Sequence, residues 1–376
     1  MINKDRKGAA RDVSDFLKSL DPPMVEQLMT KLTFDMELED ASIGMLKLAE
    51  SQLKLTKPID YRTFVYAELL RKVQPKRSTT SRDRWPRGRD DMTSRWPGGA
   101  ELAMSFVVNV EEGSEMSPAE GDRAPEAVDE LGVVLKKPVR NLGNESNYQY
   151  GIKAGAPRVM ALLGQYGVRA TFTAAALSLE RAPQLARQIV AGGHEVCSHG
   201  WRWIHQFHMS EADEREFIRK AAASIETTTG RRPVGWLSRY LLTAHTRRLL
   251  IEAGFRYHMD DYSDDVPFWD HVDGRPILIL PYALDSNDMK MWTTPALTPA
   301  DWLRYAVDTF DCLYAEGAGE PRMMSLGVHL RIIGRPGRIG YLERFIQHVR
   351  RHPRVWVATR EAIAEYWAAE HPPARG

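Results

Sequence analysis

Carboxylate and imidazole side chains come directly after several of the apolar segments that we predict to be strands. Four of them stand out: Glu111, Glu112, His199 and His329. Since the carboxyl ends of parallel strands meet at one rim of a β/α barrel, we expect these groups to share a pocket. A carboxylate that activates water and an imidazole that protonates a leaving group are what hydrolysis requires. The pattern therefore favours a hydrolytic site.

The segments that must position these groups alternate between strand-like and helix-like patterns. Such alternation is typical of a parallel sheet, and about eight strands favour a β/α barrel; an open doubly wound sheet is the alternative. No GxGxxG or GxxxxGK[ST] follows a strand, which disfavours a nucleotide-binding sheet. The predicted strands are 101–110, 169–175, 194–200, 232–238, 256–261, 277–282, 322–329 and 354–360.

Aromatic and basic residues lie near the same predicted rim. Trp201 and Trp203 are candidates for an aromatic wall against a flat ring, with ordinary barrel packing as the alternative. Arg239, Arg331 and Arg335 are candidates for binding a carboxylate or imide carbonyl groups, with surface ion pairs as the alternative. We predict that all five contribute to substrate binding.

The chain divides into three regions by composition. Residues 1–75 show apolar residues at helical spacing and are predicted to be a small all-helical appendage of unknown role. Residues 76–99 are rich in Arg, Ser, Pro and Gly and are predicted to be a linker, and 100–369 form the barrel. The apolar faces of the appendage suggest that the protein is a homo-oligomer.

Composition excludes several classes of protein. The chain has 376 residues, with 51 basic and 50 acidic side chains, so its charge gives no general reason to expect nucleic acid or an anionic membrane as a partner. No apolar run approaches the roughly 20 residues of a membrane helix. The two cysteines exclude a disulfide framework and favour the cytoplasm, as does the charged N-terminus.

Five ordered motifs resemble one known family. The motifs are WPGGAELAMSFVVNVEEGSE, YQYGIKAG, SHGWRW, PYALDSNDM and MMSLGVHLRIIGRPGR. Through them the chain is similar to the polysaccharide deacetylase superfamily over about residues 95–368, and more narrowly to its branch of allantoinases and cyclic-imide hydrolases. This resemblance implies a distorted (β/α) barrel that hydrolyses amide C–N bonds.

The resemblance also implies roles for individual residues. Glu111 and Glu112 stand where the superfamily has a catalytic base and a metal ligand, and His329 stands where it has a catalytic histidine. His199 matches the first histidine of its metal motif, but Trp203 replaces the second. A catalytic zinc takes three protein ligands, and Glu112 and His199 supply two. The allantoinase-like branch is thought to work without a metal, so we predict that no cofactor is required; a divalent metal such as zinc on Glu112 and His199 is the alternative.

Catalytic roles follow from the chemistry of amide hydrolysis. We predict Glu111 as the base, His329 as the general acid and His199 as an orienting or electrophilic group. If both glutamates line one pocket, their repulsion would raise one pKa toward neutrality. Glu112 is also predicted to contact substrate, as are Tyr150 and Lys153; at the Lys153 position the allantoinase-like pattern commonly has arginine.

The leading hypothesis is a cytoplasmic hydrolase of a small cyclic amide, such as allantoin, another hydantoin or a cyclic imide. Activated water is the nucleophile, and neither nucleic acid nor membrane is a partner. The alternative is a metal-dependent N-deacetylase of an acetylated amino sugar or other N-acyl compound. A third hypothesis, a binding subunit without catalysis, is disfavoured because all four carboxylate and imidazole groups are present.

Overall fold

The structure is a computed structural model, and it describes residues 95–293 and 296–373. The predicted appendage, residues 1–75, lies outside the described residues, as does the linker up to residue 94. Both remain predictions. Within the described part of the chain, no helix has the length and apolar character needed to cross a membrane.

One mixed sheet of nine strands forms the framework. The strands follow the order β6-β7-β5-β4-β3-β2-β1-β8, and β9 pairs with β1. All pairings are parallel except that of β6 with β7. The strands are β1 (Leu102–Val110), β2 (Thr171–Ala174), β3 (Glu195–Ser198), β4 (Gly235–Trp236), β5 (Tyr257–His258), β6 (Phe268–Val272), β7 (Arg275–Ile279), β8 (Arg322–His329) and β9 (Val355–Val357).

Helices cover this curled sheet, so the predicted distorted (β/α) barrel is confirmed. The nine residues of β1 are all buried, as expected for a parallel strand with packed faces on both sides. The helices are α1 (Leu142–Tyr150), α2 (Ala156–Tyr166), α3 (Ala176–Arg181), α4 (Pro183–Ala191), α5 (Glu211–Thr229), α6 (Thr246–Glu252), α7 (Pro299–Glu316), α8 (Leu330–Ile333), α9 (Pro336–Val349) and α10 (Arg360–Glu370).

The β6–β7 hairpin was not predicted. Asp273 and Gly274 connect its strands, and both have positive φ angles, of 51° and 73°. Two such residues between paired strands form a tight hairpin turn, for which Asp-Gly is a preferred sequence. The hairpin leaves the regular strand–helix alternation and ends the sheet with an antiparallel edge.

The barrel has a seam between β7 and β8, where no strand pairing occurs among the described residues. The completely buried guanidinium of Arg360 lies across the seam and donates hydrogen bonds to the Ser325 hydroxyl and to the carbonyl oxygens of Leu280 and Pro281. Ser286 adds a hydrogen bond of 2.8 Å to the Ser325 carbonyl. Side chains therefore replace the missing ladder at this seam.

A π-helical turn, Gly151–Gly155, joins α1 to α2 and packs closely against the ends of the sheet. A Cβ atom on Gly151 would collide with the Glu112 carboxylate, and one on Gly155 would collide with the Leu330 carbonyl. Both positions therefore need glycine because of close approach, not because of a left-handed backbone. The two glycines of the YGIKAG motif thus allow the turn to pack directly against Glu112, which follows β1, and against α8, which follows β8.

Candidate active site

Glu111, His199 and His329 meet at the carboxyl ends of β1, β3 and β8. The Glu111 Oε1 atom lies 3.4 Å from His199 Nε2 and 3.3 Å from His329 Nε2. All three side chains are buried, with at most 5% of the residue surface exposed. The Nδ1 atom of His199 lies 2.8 Å from the Leu237 carbonyl oxygen, which assigns its proton to Nδ1 and directs Nε2 toward Glu111.

Arg331 completes this group from the first residues of α8. Its Nη2 atom lies 2.7 Å from Glu111 Oε2, but the angle is not that of a hydrogen bond, and all three guanidinium nitrogens lack hydrogen-bond partners among the described residues. The guanidinium lies 4.2 Å from the Tyr148 ring centre, 5.3 Å from that of Trp203 and 5.4 Å from that of Trp292. A buried cation that is paired with Glu111 is thus enclosed by three aromatic rings.

Asp288 fixes the protonation of His329. Its Oδ1 atom lies 2.6 Å from His329 Nδ1, and its Oδ2 atom accepts a hydrogen bond of 2.8 Å from the His329 backbone N–H. Burial lowers the pKa of His329, but the charges of Glu111 and Asp288 outweigh burial and raise the pKa to about 9. The ring is therefore an imidazolium at neutral pH, in contact with a carboxylate through each nitrogen.

The two adjacent glutamates differ in pKa. Burial raises the pKa of Glu111, but the charges of Arg331 and His329 overcome it and hold that pKa well below the usual range. Burial and the charge of Glu111 raise the pKa of Glu112, against the opposing effect of Arg331. The expectation that one pKa would rise is met by Glu112, whereas Glu111, the predicted base, is ionised at rest.

Glu112 is held by backbone N–H groups, and its Oε1 atom lies 3.6 Å from Arg331 Nη1. Its Oε2 atom accepts a hydrogen bond of 3.0 Å from the Glu111 N–H, and its Oε1 atom accepts one of 3.2 Å from the Arg331 N–H. Gly151 packs directly on this carboxylate. These contacts give Glu112 a role in positioning the strand ends.

Arg239 is not available as a substrate donor in this structure, contrary to the sequence prediction. Its Nη1 and Nη2 atoms donate hydrogen bonds of 2.8 Å and 2.6 Å to the two carboxylate oxygens of Glu126. Its guanidinium stacks 3.7 Å from the Trp203 ring centre. The bidentate pair with Glu126 uses the N–H donors along the edge of the guanidinium, which are then not free for substrate. The flat face of the guanidinium packs against Trp203 and supports that ring.

Four other predicted substrate contacts lie elsewhere. The Trp201 ring centre lies 3.8 Å from the Lys220 ammonium, and Trp201 lines a surface cavity that does not contain Glu111. Arg335 stacks 3.7 Å from the Tyr150 ring centre, and the two line a third cavity. Lys153 lines a cavity of about 360 Å³ that also contains Glu112. The prediction that Trp201, Tyr150 and Arg335 share the pocket of Glu111 is therefore not supported by their positions.

Sequence reasoning missed several residues of the site. Tyr148 and Trp292 line the Arg331 cage, and Glu126 holds Arg239, yet none lies next to a predicted strand end. Asp288 lies within the PYALDSNDM motif, but the motif did not indicate its contact with His329. Glu115 lines the same cavity as Glu112, and burial raises its pKa to about 7. Its position four residues after Glu111 was the available signal.

Comparison with known proteins identifies relatives of the barrel. The family model for "Polysaccharide deacetylase" matches residues 146–258. A Schizosaccharomyces pombe protein named "Putative polysaccharide deacetylase" is 35% identical over 302 residues, which are 74% of this chain and 94% of that protein. The aligned region thus includes almost the whole of the relative.

Solved structures agree with this assignment. A "probable Polysaccharide deacetylase" from Pseudomonas aeruginosa PAO1 is 43% identical, with a TM-score of 0.71 over 74% of this chain and 94% of that one. "Puue Allantoinase" is 40% identical, with a TM-score of 0.72 over 77% of this chain and 100% of that one. Both have the fold described above.

The family match corrects the prediction that no cofactor is required, because polysaccharide deacetylases typically depend on a divalent metal. The two ligands suggested for a metal, Glu112 and His199, do not fit one here. Both oxygens of Glu112 are held by backbone N–H groups, and the Arg331 guanidinium lies between the strand ends, 2.7 Å from Glu111. A dication next to this buried guanidinium would be repelled.

The similarity extends from the sheet to the motifs that carry the site. It covers about three quarters of the chain, and the family model includes His199. The chain belongs to the polysaccharide deacetylase family, whose hydrolases act on carbon–nitrogen bonds.

Proposed function

We propose that this hydrolase opens the ring of a small cyclic amide with two carbonyl groups, such as a hydantoin or a cyclic imide. The observation that carries the proposal is the cage around Arg331. The Arg331 guanidinium, which is paired with Glu111 and Glu112, lies among the rings of Tyr148, Trp203 and Trp292. A flat ring with carbonyl oxygens would use both the donors and the aromatic surface.

The cage also disfavours long substrates. Glu111, His199 and His329 are at most 5% exposed, and Arg331 is completely buried. An oligosaccharide requires an open groove for its neighbouring sugar units, whereas a compact heterocycle can be enclosed. The 40% identical structure is named an allantoinase, and allantoin is a substituted hydantoin.

The first step of the proposed reaction is attack by water. Glu111 takes a proton from the water molecule as its oxygen attacks the amide carbonyl, and Arg331 donates to the oxygen on which negative charge develops. Arg331 now holds the pKa of Glu111 low. Transfer of Arg331 donors to the substrate oxygen would weaken that effect, so substrate binding itself makes Glu111 a stronger base.

The second step is cleavage of the C–N bond. His329 is an imidazolium with a pKa of about 9 and gives its Nε2 proton to the leaving nitrogen. Glu111 Oε1 lies 3.3 Å from His329 Nε2, so the proton that Glu111 took from water can pass to His329 after the ring opens. The cycle consumes one water molecule, forms no acyl-enzyme and restores both groups.

Substrate turnover by the purified chain tests the proposal. Hydantoin, allantoin, succinimide and N-acetylglucosamine oligomers are supplied separately, and ring opening and acetate release are followed by NMR. We expect ring opening of at least one cyclic amide, and none by the Glu111→Gln variant, which controls for contaminating enzymes. Acetate release from the oligomers without ring opening of any cyclic compound would contradict the proposal.

N-deacetylation of an acetylated amino sugar or other N-acyl compound is the second candidate. The names of two relatives favour it, since both are described as polysaccharide deacetylases. The same catalytic groups would serve, because both reactions add water to an amide. Acetate release in the experiment above distinguishes the two. A cytoplasmic location and a homo-oligomeric state remain predictions.

A further inference from the structure

A second group of metal-type ligands lies outside the barrel pocket, where α7 packs against the end of α9. Asp311 is on α7, His348 is in the last turn of α9, and His352 follows four residues later. One ligand atom from each of the three lies within 4.8 Å of the others. None of these residues takes part in the mechanism proposed above.

The distances suit a small divalent metal ion. His348 Nε2 lies 2.6 Å from Asp311 Oδ1, and His352 Nε2 lies 4.0 Å from the same oxygen. Zinc bonds of 2.0–2.2 Å in a tetrahedral arrangement place ligand atoms about 3.3 Å apart. The observed values lie on either side of this distance, so a metal ion would replace the His348–Asp311 hydrogen bond and draw His352 Nε2 closer to Asp311.

Hydrogen bonding prepares His352 as a ligand. Its Nδ1 atom lies 2.9 Å from the His348 carbonyl oxygen, and this contact assigns the ring proton to Nδ1. The lone pair is therefore on Nε2, the atom that faces Asp311. Metal-binding histidines are commonly oriented by such a bond from the other ring nitrogen.

Aromatic rings hold both imidazoles in place. The Phe310 ring centre lies 5.3 Å from that of His348 and 4.9 Å from that of His352, with edge-on geometry in both cases. Tyr314 packs edge-on against His352 at 4.7 Å. The polar atoms remain accessible, because the side chains of Asp311, His348 and His352 are 48%, 21% and 24% exposed.

We propose that Asp311, His348 and His352 bind a divalent transition-metal ion, with zinc the favoured occupant. Two imidazoles and one carboxylate are ligands for zinc, cobalt or nickel, whereas calcium and magnesium prefer oxygen ligands alone. Three protein ligands leave the fourth tetrahedral position to water. The ion would join α7 to α9 and so stabilise the folded chain.

Zinc titration of the full-length chain tests this site by calorimetry and by thermal unfolding. The wild type is compared with His348→Ala, His352→Ala and Asp311→Asn. His271→Ala is the matched control, since His271 is an exposed histidine on β6. We expect the three site variants to lose one bound zinc per chain and most of the zinc-dependent rise in Tm. The His271→Ala variant should behave as the wild type.

If zinc instead binds at the candidate active site of the barrel, the variants should give a different pattern of zinc binding. In that case zinc binding would be lost in Glu111→Gln and His199→Ala and retained in His348→Ala and His352→Ala, which would overturn the proposal. Absence of zinc binding by the wild type would overturn it as well. Loss in the site variants with retention in Glu111→Gln supports it, whatever the outcome of the substrate experiment.

Discussion

Two arginine side chains are completely buried in this barrel, and they differ in how their donors are used. Arg360 spans the seam and donates to a hydroxyl and two carbonyl oxygens. Arg331 has a carboxylate 2.7 Å away, and its nitrogens have no hydrogen-bond partner among the described residues. Both bear the cost of desolvation, which Arg360 offsets with hydrogen bonds to neutral oxygens and Arg331 offsets with the charges of Glu111 and Glu112.

The pKa directions also differ between the two arginines. Burial lowers the pKa of Arg360, for which the structure provides neutral oxygens. At Arg331 the opposing effects of Tyr148, Glu111 and Glu112 exceed that of burial, and its pKa rises. The comparison teaches that a buried cation bonded to neutral oxygens maintains the fold, whereas one paired with the carboxylates of the candidate site is arranged to transfer its donors to another molecule.

Removing the carboxylate beside Arg331 should have the largest effect. We expect Glu111→Gln to lower kcat by about 10²- to 10⁴-fold, because the base is lost. Glu361→Gln is the control, since Glu361 is a largely buried glutamate that pairs with Arg231 and takes no part in the site. Steady-state kinetics of both variants make the comparison, and near-wild-type turnover by Glu111→Gln would remove Glu111 from the mechanism.

Exchanging each buried arginine for lysine tests the comparison directly. We expect Arg331→Lys to lower kcat/KM by about 10²- to 10³-fold with little change in stability, because donors to the developing oxyanion are lost. Arg360→Lys should lower the free energy of unfolding by about 3 kcal/mol, because seam hydrogen bonds are lost, and should leave kcat/KM nearly unchanged. Urea unfolding and kinetics measure both quantities, and the opposite pattern would reverse our assignment of the two arginines.

Asp288 should act through His329 and alter the pH profile. Asp288→Asn removes one of the two charges that raise the His329 pKa to about 9. The alkaline limb of kcat should therefore move to lower pH by about one unit. Asp285→Asn is the matched control on the same loop, because Asp285 contacts the Tyr305 hydroxyl at 3.0 Å. A uniform loss of activity at every pH would indicate a structural role alone.

The same histidine should make stability depend on pH. Its pKa is about 9 in the folded chain, above the roughly 6.5 of an unfolded chain. Its stabilising contribution is complete below pH 6.5 and is lost as the pH rises through about 9. We expect His329→Gln to flatten the fall in unfolding free energy across this range. Urea titrations at several pH values measure it, and parallel curves for the two proteins would argue against a charged His329.

The smallest effect should separate the two tryptophans. Trp203 lies 5.3 Å from Arg331 in the cage, whereas Trp201 packs on Lys220. Trp203→Leu should raise KM by roughly 3- to 10-fold through loss of aromatic contact, and Trp201→Leu should leave KM unchanged. Equal KM values for the two variants would place the substrate outside the cage.

Much of the fold could be read from local patterns. Three helices, Ala156–Tyr166, Pro183–Ala191 and Pro299–Glu316, coincide with helix-like segments between the predicted strands. Each has proline in its first turn, and Thr298 caps the third by accepting a hydrogen bond from the Asp301 N–H. Such signals are local, so one sequence is sufficient to find them.

The candidate active site was only partly predictable, because the direction of a side chain depends on residues that are distant in sequence. Strand ends indicated that Glu111, His199 and His329 would meet. They did not show that Arg239 would be neutralised by Glu126, which lies 113 positions earlier in the chain. Nor did they show that Arg331 would turn inward while Arg335, four residues later, would stack on Tyr150. Sequence patterns report the element, whereas the partner of a long side chain is determined by packing between distant segments.

The glycine pair of the π-helical turn provides a criterion for reading related chains. Gly151 and Gly155 let that turn rest on Glu112 and on the Leu330 carbonyl, where a methyl group has no room. A homologue with alanine at either position must move its turn or its carboxylate, even if every catalytic residue is retained. Whether a homologue has the same pocket should therefore be judged on these two glycines together with the glutamates. Homologues sorted in this way would divide into those that share only the fold and those expected to share the substrate.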